Sequence, residues 1–349
     1  MKCTIQNIAD HLGLSRNTVS KALKNSSEVS ENTRNLVIKT ASKLGYKNAT
    51  FATPVIPASE TGSNGTILFL TRTYASDSEF WTTVLRGIES ILSNANYHLA
   101  ISIMSDSDLK QLNFPQTISD SSIKGIILVE ICDKVVCDAL SQFNLPIVSV
   151  DMPNVPFEEL NGIDVVTMES KKNLKKLINQ LIEKGAESFG FVGDLYSPNV
   201  SRGFQERYNA LSECLAEHQL PLNQKNCLLH QTPEDFRNFQ TTVNNLQAMI
   251  SLPDVFICGN DWTAIQLIYA LQFLGFQIPK DICVVGFDNI PAASRISPSL
   301  TTISTPQKYL GIAAARQILE RIQHPNCPHV FCQYETELII RNSTNITSF

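Results

Sequence analysis

Arg16, Asn17 and Lys21 lie within one short stretch and carry the side chains that hydrogen-bond base edges. Arg and Lys donate to guanine O6 and N7, and Asn pairs bidentately with adenine. Thr18 and Ser20 between them supply hydroxyls suited to phosphate oxygens. The same residues would also suit a plain solvated helix face, so the elements that carry them matter. Ile5, Ile8, Ala9 and Leu12 recur at helical spacing behind Thr4, a good N-cap, and Gly13 stops the run. Ser15 then caps a second helix whose Val19, Ala22 and Leu23 turn inward, so two short helices meet at a tight glycine turn. Ser30 begins a third, with Val37, Ala41 and Leu44 as its stripe and Gly45 as its stop.

Charge is distributed to match. The chain of 349 residues has a formal net charge of -5, yet residues 1–48 hold Lys2, Arg16, Lys21, Lys24, Arg34, Lys39, Lys43 and Lys47 against Asp10, Glu28 and Glu31. A basic head on an acidic body suits a module that binds a polyanion, although charge runs also mark solvated faces. Hydrophobic residues make up 43% and charged residues 17%, an ordinary globular balance for two or three domains. No apolar run has the length of a signal peptide or a membrane span, so the expectation is a cytoplasmic protein without a membrane partner.

Catalysis finds no constellation. G-x-S-x-G, P-loop, G-x-G-x-x-G and H-E-x-x-H are absent, and His11, His98, His218, His230, His324 and His329 are scattered. The nine cysteines form no C-x-x-C pair and read as reduced thiols, mostly core residues. No catalytic residue, metal site or cofactor is expected.

The run from Thr4 to Leu23, then Val29-Ser30-Glu31-Asn32-Thr33-Arg34 and Leu44-Gly45-Tyr46, closely resembles the DNA-binding domain of the lactose and galactose repressor (LacI/GalR) family. The resemblance implies that Arg16, Asn17 and Lys21 read bases in the major groove. It implies that Thr4, Ser15, Thr18, Ser20 and Asn32 seat the module on the backbone, and it adds Tyr46 to the DNA-binding set. Lys21 stands where the family often has Arg, which loses the rigid fork. In the linker, residues 49–65, the family usually forms a hinge helix with an Ala-Arg-x-Leu signature whose Leu wedges into the minor groove. Here Ala52 is kept, Thr53 replaces the Arg, and Pro54 interrupts a helix, so this is a degenerate hinge, with Val55 or Ile56 left as the wedge of a shorter one.

From Thr66 short β-branched runs alternate with helical patterns. The first series is 67–70, 80–93, 98–104, 125–129, 135–143 and 147–150, and the second is 173–183, 189–193, 204–217, 255–258, 264–274 and 282–287. Alternation of this kind predicts two parallel-sheet α/β subdomains with a cleft between them, and ligands of such sheets sit just beyond the carboxyl ends of strands. Gly259-Asn260-Asp261-Trp262-Thr263-Ala264, the stretch 274–289 and Leu300-Thr301-Thr302-Ile303 resemble the effector-binding core of the same repressors, a fold shared with periplasmic sugar-binding proteins. By this likeness Asp151, Arg207, Asn260 and Asp288 hold the ligand, Phe80, Trp81 and Phe236 supply aromatic walls, and Trp262 shapes ligand choice. Each has a plainer reading: an exposed helix residue for Arg207, a turn cap for Asp288, core packing for the aromatics.

The expected architecture is therefore α plus α/β. A helix-turn-helix head (1–48) precedes the linker (49–65) and a periplasmic-binding-protein-like body (66–341). A first subdomain takes about 66–163 with 304–328, a second about 164–300 with 329–341, and 342–349 form a polar tail without a heptad. The expected function is that of a sequence-specific DNA-binding transcription regulator, read as a repressor. Its partners would be double-stranded operator DNA, a second copy of the chain, and a small-molecule effector, a sugar. The alternatives are a sugar receptor without a DNA role and a regulator controlled by a nucleobase or a protein corepressor.

Overall fold

A computed structural model describes residues 4–23, 29–30, 33, 36–37, 40–41, 63–72, 78–131, 133–151, 155–160, 162–195, 202–230 and 238–345. The chain forms two units, Met1–Gly62 and Ser63–Phe349.

In the first unit, α1 (Ile5–Leu12) starts on a reciprocal cap. Thr4 Oγ1 accepts from the Asn7 backbone N–H at 3.3 Å, and Asn7 Oδ1 accepts from the Thr4 backbone N–H at 2.9 Å. Gly13 ends it at φ 64°, a left-handed conformation that costs glycine little. α2 (Arg16–Leu23) begins where Ser15 Oγ accepts from the Thr18 N–H at 3.0 Å. Most of the expected third helix lies outside the described residues, as do Asn32, Tyr46 and residues 49–62 of the linker. Thr33, Leu36, Val37, Thr40 and Ala41 are helical, and Val37 and Ala41 join Ile8, Ala9, Val19, Ala22 and Val29 in one small core.

The second unit contains two parallel sheets. The larger has the order β11-β5-β4-β3-β1-β2 and comprises β1 (Gly65–Arg72), β2 (Tyr97–Met104), β3 (Ile123–Val129), β4 (Ile147–Val150), β5 (Ile163–Met168) and β11 (Phe331–Tyr334). Its central strands read as continuous apolar runs because helices cover both faces. Two of those helices, α3 (Glu79–Asn94) and α10 (Gln307–Gln323), pack backbone to backbone. A Cβ on Gly311 would collide with the Val84 carbonyl, and one on Gly87 with the Lys308 carbonyl. The shorter helices α4 (Asp106–Gln111) and α5 (Lys134–Ser141) belong to the same half.

The smaller sheet runs β7-β6-β8-β9, from β6 (Phe189–Asp194), β7 (Leu228–His230), β8 (Val255–Cys258) and β9 (Cys283–Val285). Single bridges from Val285 to Thr301 and from Asp288 to Ser304 join it to the antiparallel pair of β10 (Thr302–Ser304) and β12 (Glu337–Ile339). Its helices are α6 (Lys172–Glu183), α7 (Arg202–Glu217), α8 (Phe239–Ala248) and α9 (Asp261–Phe273).

Three expectations change. β5 and β11 pair in the larger sheet, so residues 164–168 and 331–334 belong to the first subdomain and not the second. The chain therefore crosses between subdomains at 169–171, 305–306 and 335–336. A buried fork explains the β11 placement: Arg321 of α10 donates to both oxygens of Asp164 in β5 at 2.8 and 3.0 Å, and the Val330 N–H donates to the same carboxylate at 2.8 Å. Residues 342–345 are also no loose tail. The Ser343 carbonyl accepts from the Val284 N–H at 2.9 Å, and its buried hydroxyl bonds Val284 and Thr301.

Among the described residues no helix is long and apolar enough to cross a membrane, and no cluster of three or more His, Cys, Asp or Glu is placed to hold a metal ion.

Candidate functional site

On α2, Arg16 and Asn17 are exposed, Thr18, Ser20 and Lys21 are half-buried, and Val19 and Ala22 face the core. The hydroxyls of Ser15 and Thr18 lie 2.8 Å apart at the helix start, so they hold the first turn as well as presenting oxygens. The N-terminal turn of this helix is thus a polar surface standing on a rigid apolar base.

The second cluster lies between the two subdomains, at the carboxyl ends of the strands. Arg72 closes β1, Glu130 follows β3, Asp151 follows β4, Asp194 closes β6, Asn260 follows β8, and Asp288 lies three residues beyond β9. Glu130, Asp151 and Asp288 all have positive φ, at 54°, 79° and 117°. For residues with a side chain this conformation is strained, and strain of this kind gathers where side chains must be aimed at a ligand.

Arg207 of α7 is 3% exposed. Its Nη1 donates to the Gly259 carbonyl at 2.6 Å, and its guanidinium carbon stacks 3.7 Å from the centre of the Phe287 ring. Burial lowers its pKa, and the carboxylates of Asp288 and Asp151 hold the charge in place. Asp288, 8% exposed, is pushed well above the usual carboxylate range by burial, with Arg207 pulling the other way. Opposite them, burial pushes the Glu130 carboxyl up to about 7 against a hydrogen bond from Trp81 and the charge of Arg72. Asp151 and Asp194 raise it further, so carboxylates of both subdomains share one field.

Hydrogen bonds show what the protein leaves unused. Trp81 Nε1–H donates to Glu130 Oε1 at 2.7 Å, but Glu130 Oε2 and the Arg207 Nε–H are buried without a partner. The Asp288 side chain accepts no hydrogen bond from any described residue, while its carbonyl accepts from Gln307 Nε2 at 2.7 Å and from the Thr305 hydroxyl at 3.2 Å. Unmet donors and acceptors together, in a buried cleft, are what a small polar ligand would satisfy.

Two family models match the chain: bacterial regulatory proteins of the lacI family over residues 4–48, and the periplasmic binding protein-like domain over residues 178–344. The head is therefore similar to lacI-type regulators and much of the body to periplasmic binding proteins. It is similar to the HTH-type transcriptional repressor PurR of Photobacterium profundum, 26% identical across 97% of this chain and 98% of the relative. It is likewise similar to the ribose operon repressor of Haemophilus influenzae, 27% identical over 97% of this chain and 98% of that one. Among solved structures, the lac repressor dimer bound to operator and the anti-inducer ONPF matches with a TM-score of 0.67 at 19% identity, over 99% of both chains. A CelR–cellobiose complex matches with a TM-score of 0.68 at 19% identity, over 98% of this chain and 100% of that one. The chain is a DNA-binding transcription regulator and not an enzyme.

Of the effector residues expected from sequence, Asp151, Arg207 and Asp288 come together in the cleft. Asn260, two residues beyond β8, caps α9 with its Oδ1, which accepts from the Thr263 N–H at 2.9 Å. Phe80 and Trp81 are buried and meet edge to face at 4.6 Å. Trp81 reaches the cleft through its bond to Glu130, whereas Phe80 packs behind it. Trp262 is 40% exposed in the first turn of α9. Phe236 lies outside the described residues.

Sequence reasoning passed over Glu130, Arg72 and Asp194, although each ends or follows an apolar run and the strand-end rule points to them. It also passed over Asp261, fully buried beneath the loop that bears Asp288. Asp261 Oδ2 accepts from the Ile290 N–H at 2.9 Å and Oδ1 from the Thr302 hydroxyl at 2.5 Å, and burial lifts its pKa to about 6. Only the fold reveals that it pins this loop.

Proposed function

We propose that the protein binds operator DNA through Arg16, Asn17 and Lys21, seated by Thr4, Ser15, Thr18 and Ser20, with Asn32 and Tyr46 also contacting DNA. A sugar binding between Asp151, Arg207, Asn260 and Asp288 would control that binding. The observation that carries the effector reading is a pair of buried polar atoms without partners in the cleft, the Arg207 Nε–H and Glu130 Oε2. A polyhydroxylated molecule answers each, since every hydroxyl both donates and accepts. The ring of Trp81 lends an apolar wall, Phe236 is proposed as a second, and Trp262 shapes the entrance. The ribose and cellobiose named with similar structures accord with this ligand class.

Asp288 also suggests how occupancy is transmitted. Its carbonyl is held by Gln307, in the first turn of α10, which packs on α3 of the first subdomain. A ligand that engages both sides of the cleft favours one subdomain angle, and control follows from its differential affinity for the DNA-competent form. We further propose a homodimer. Trp262, Tyr269 and Phe273 lie along one side of α9 and are exposed, and Phe273 stacks with Phe239 of α8 at 5.9 Å. Such a face calls for a cover, and two heads would match a two-fold operator.

A thermal-shift screen of the full chain against sugars, sugar phosphates and nucleobases tests the effector. A ligand at a hundred times its Kd adds about 2.7 kcal/mol to the native state, a readily seen rise in Tm. The hit must then change operator affinity. A nucleobase that raises Tm while every sugar leaves it unmoved overturns the sugar reading. Sedimentation of a monomer that retains full operator affinity overturns the dimer.

A further inference from the structure

Two successive residues of the loop after β9, Asp288 at φ 117° and Asn289 at φ 56°, hold a backbone conformation that side chains disfavour. Such a conformation persists only where its surroundings over-determine it. Asp261, the first residue of α9, supplies much of that hold from beneath. Its N–H donates to the Phe287 carbonyl at 2.7 Å, and its carboxylate accepts from the Asn289 N–H and, at 2.9 Å, from the Ile290 N–H. One residue thus brackets Asp288 on both sides. The Thr302 hydroxyl fixes Asp261 Oδ1 at 2.5 Å, and a Cβ on Gly286 would collide with that oxygen.

The same turn also holds Arg207. The carbonyl of Gly259, two residues before Asp261, accepts from Arg207 Nη1 at 2.6 Å. Three residues, Gly259-Asn260-Asp261, therefore bond Arg207 through one end and the loop of Asp288 through the other. Asp261 is itself fully buried with both oxygens engaged, so its carboxylate faces protein and not the cleft.

We propose that Asp261 is a positioning residue for the effector: it does not touch the ligand, and it sets where Asp288 stands relative to Arg207. This rests on the reading above, in which both are ligand contacts. Without the carboxylate the buried Ile290 N–H loses its acceptor and the loop relaxes toward ordinary backbone angles. The Asp288 side chain then swings from its present direction, and effector affinity falls although no ligand contact has been removed.

Hydrogen exchange of the unliganded full chain, read by mass spectrometry, tests the loop first. Asp261→Ala should speed exchange at residues 288–290 roughly tenfold or more, while residues 265–273 of α9 keep their protection. Leu267→Ala, which opens a cavity beside the same helix, is the control: it lowers the melting point and should leave the loop unmoved. Calorimetric titration with ribose, cellobiose, glucose and galactose then reads affinity. A sugar that binds the parent should bind Asp261→Ala at least roughly tenfold more weakly, and Leu267→Ala as it binds the parent. Should Asp261→Ala fail to fold, Thr302→Val takes its place, with Thr302→Ser restoring both readouts because it keeps the hydroxyl. Loop protection equal to the parent's overturns the proposal and leaves the sugar reading standing, as does a loosened loop with unchanged affinity. If no sugar binds the parent while a nucleobase does, the sugar reading falls by itself, and the affinity comparison is made with that nucleobase.

Discussion

Arg16 and Asn17 stand in solvent on α2, whereas Arg207 and Asp288 are almost wholly buried between the subdomains of the body. The head keeps its chemistry outside its core: Ile8, Val19, Val37 and their neighbours make the small apolar base, and the polar residues of α2 stand off it. The body does the reverse. It buries charges at strand ends, holds their backbones at positive φ, and leaves hydrogen-bonding groups unmet. A surface for a polyanion as large as DNA needs only exposed donors on a rigid frame. A site for a small molecule must exclude water, and the charges that give it selectivity then work against stability until the ligand arrives.

This contrast is breakable. The largest effect is expected for Arg207→Ala, which removes its hydrogen bond to the Gly259 carbonyl, its stacking on Phe287 and the positive charge whose field acts on Asp288. Denaturant unfolding of the body should lose about 3–5 kcal/mol, and the ligand-induced rise in Tm should vanish. A loss below about 1 kcal/mol with the ligand response intact would mean that the buried pair is not what organises the cleft. Arg16→Ala should weaken operator binding by roughly 1–3 kcal/mol and relax base preference at one position, with stability shifted by no more than about 0.5 kcal/mol. Unchanged selectivity in a randomised-site assay would remove Arg16 from the reading set and blur the line between the two regions.

Glu130→Gln sharpens the comparison through pH. Folding raises the Glu130 pKa from 4.5 to about 7, so between those values the folded chain binds more protons than the unfolded one. Stability therefore falls as pH rises through this window, and the loss is complete above it. Gln has no proton to lose. The unliganded variant should exceed the parent by about 3 kcal/mol above pH 7, with the gap closing as the pH falls through the window, as thermal melts across pH would show. A gap that does not change with pH would mean that burial does not raise the Glu130 carboxyl.

Local spacing carried the head. The stripe of Ile5, Ile8, Ala9 and Leu12, the caps at Thr4 and Ser15, and the stop at Gly13 are short-range features, and a helix reports them within a few residues. The strand runs of the body were legible for the same reason. β5, whose Asp164 breaks an otherwise apolar run, was not, and β11, with Phe331 exposed and a Gln among its four residues, shows no buried-strand pattern. Their place is settled by Arg321, more than 150 residues from Asp164. The cleft was half legible. Asp151, Arg207 and Asp288 came from the family wording, while Glu130 sat unnoticed behind a clear strand because nothing local says which strand ends face one another.

The sequence by itself thus determined a basic helix-turn-helix head, an alternating α/β body and the side chains able to read DNA, because periodicity, capping and charge are properties of neighbours along the chain. Tertiary structure alone decided that Glu130 and Asp194 join Asp151, Arg207 and Asp288, that Asp261 anchors the loop beneath them, and that Ser343 closes the second sheet. Burial and long-range pairing set those outcomes, since a carboxylate becomes a selective site only where distant strands end side by side and water is shut out.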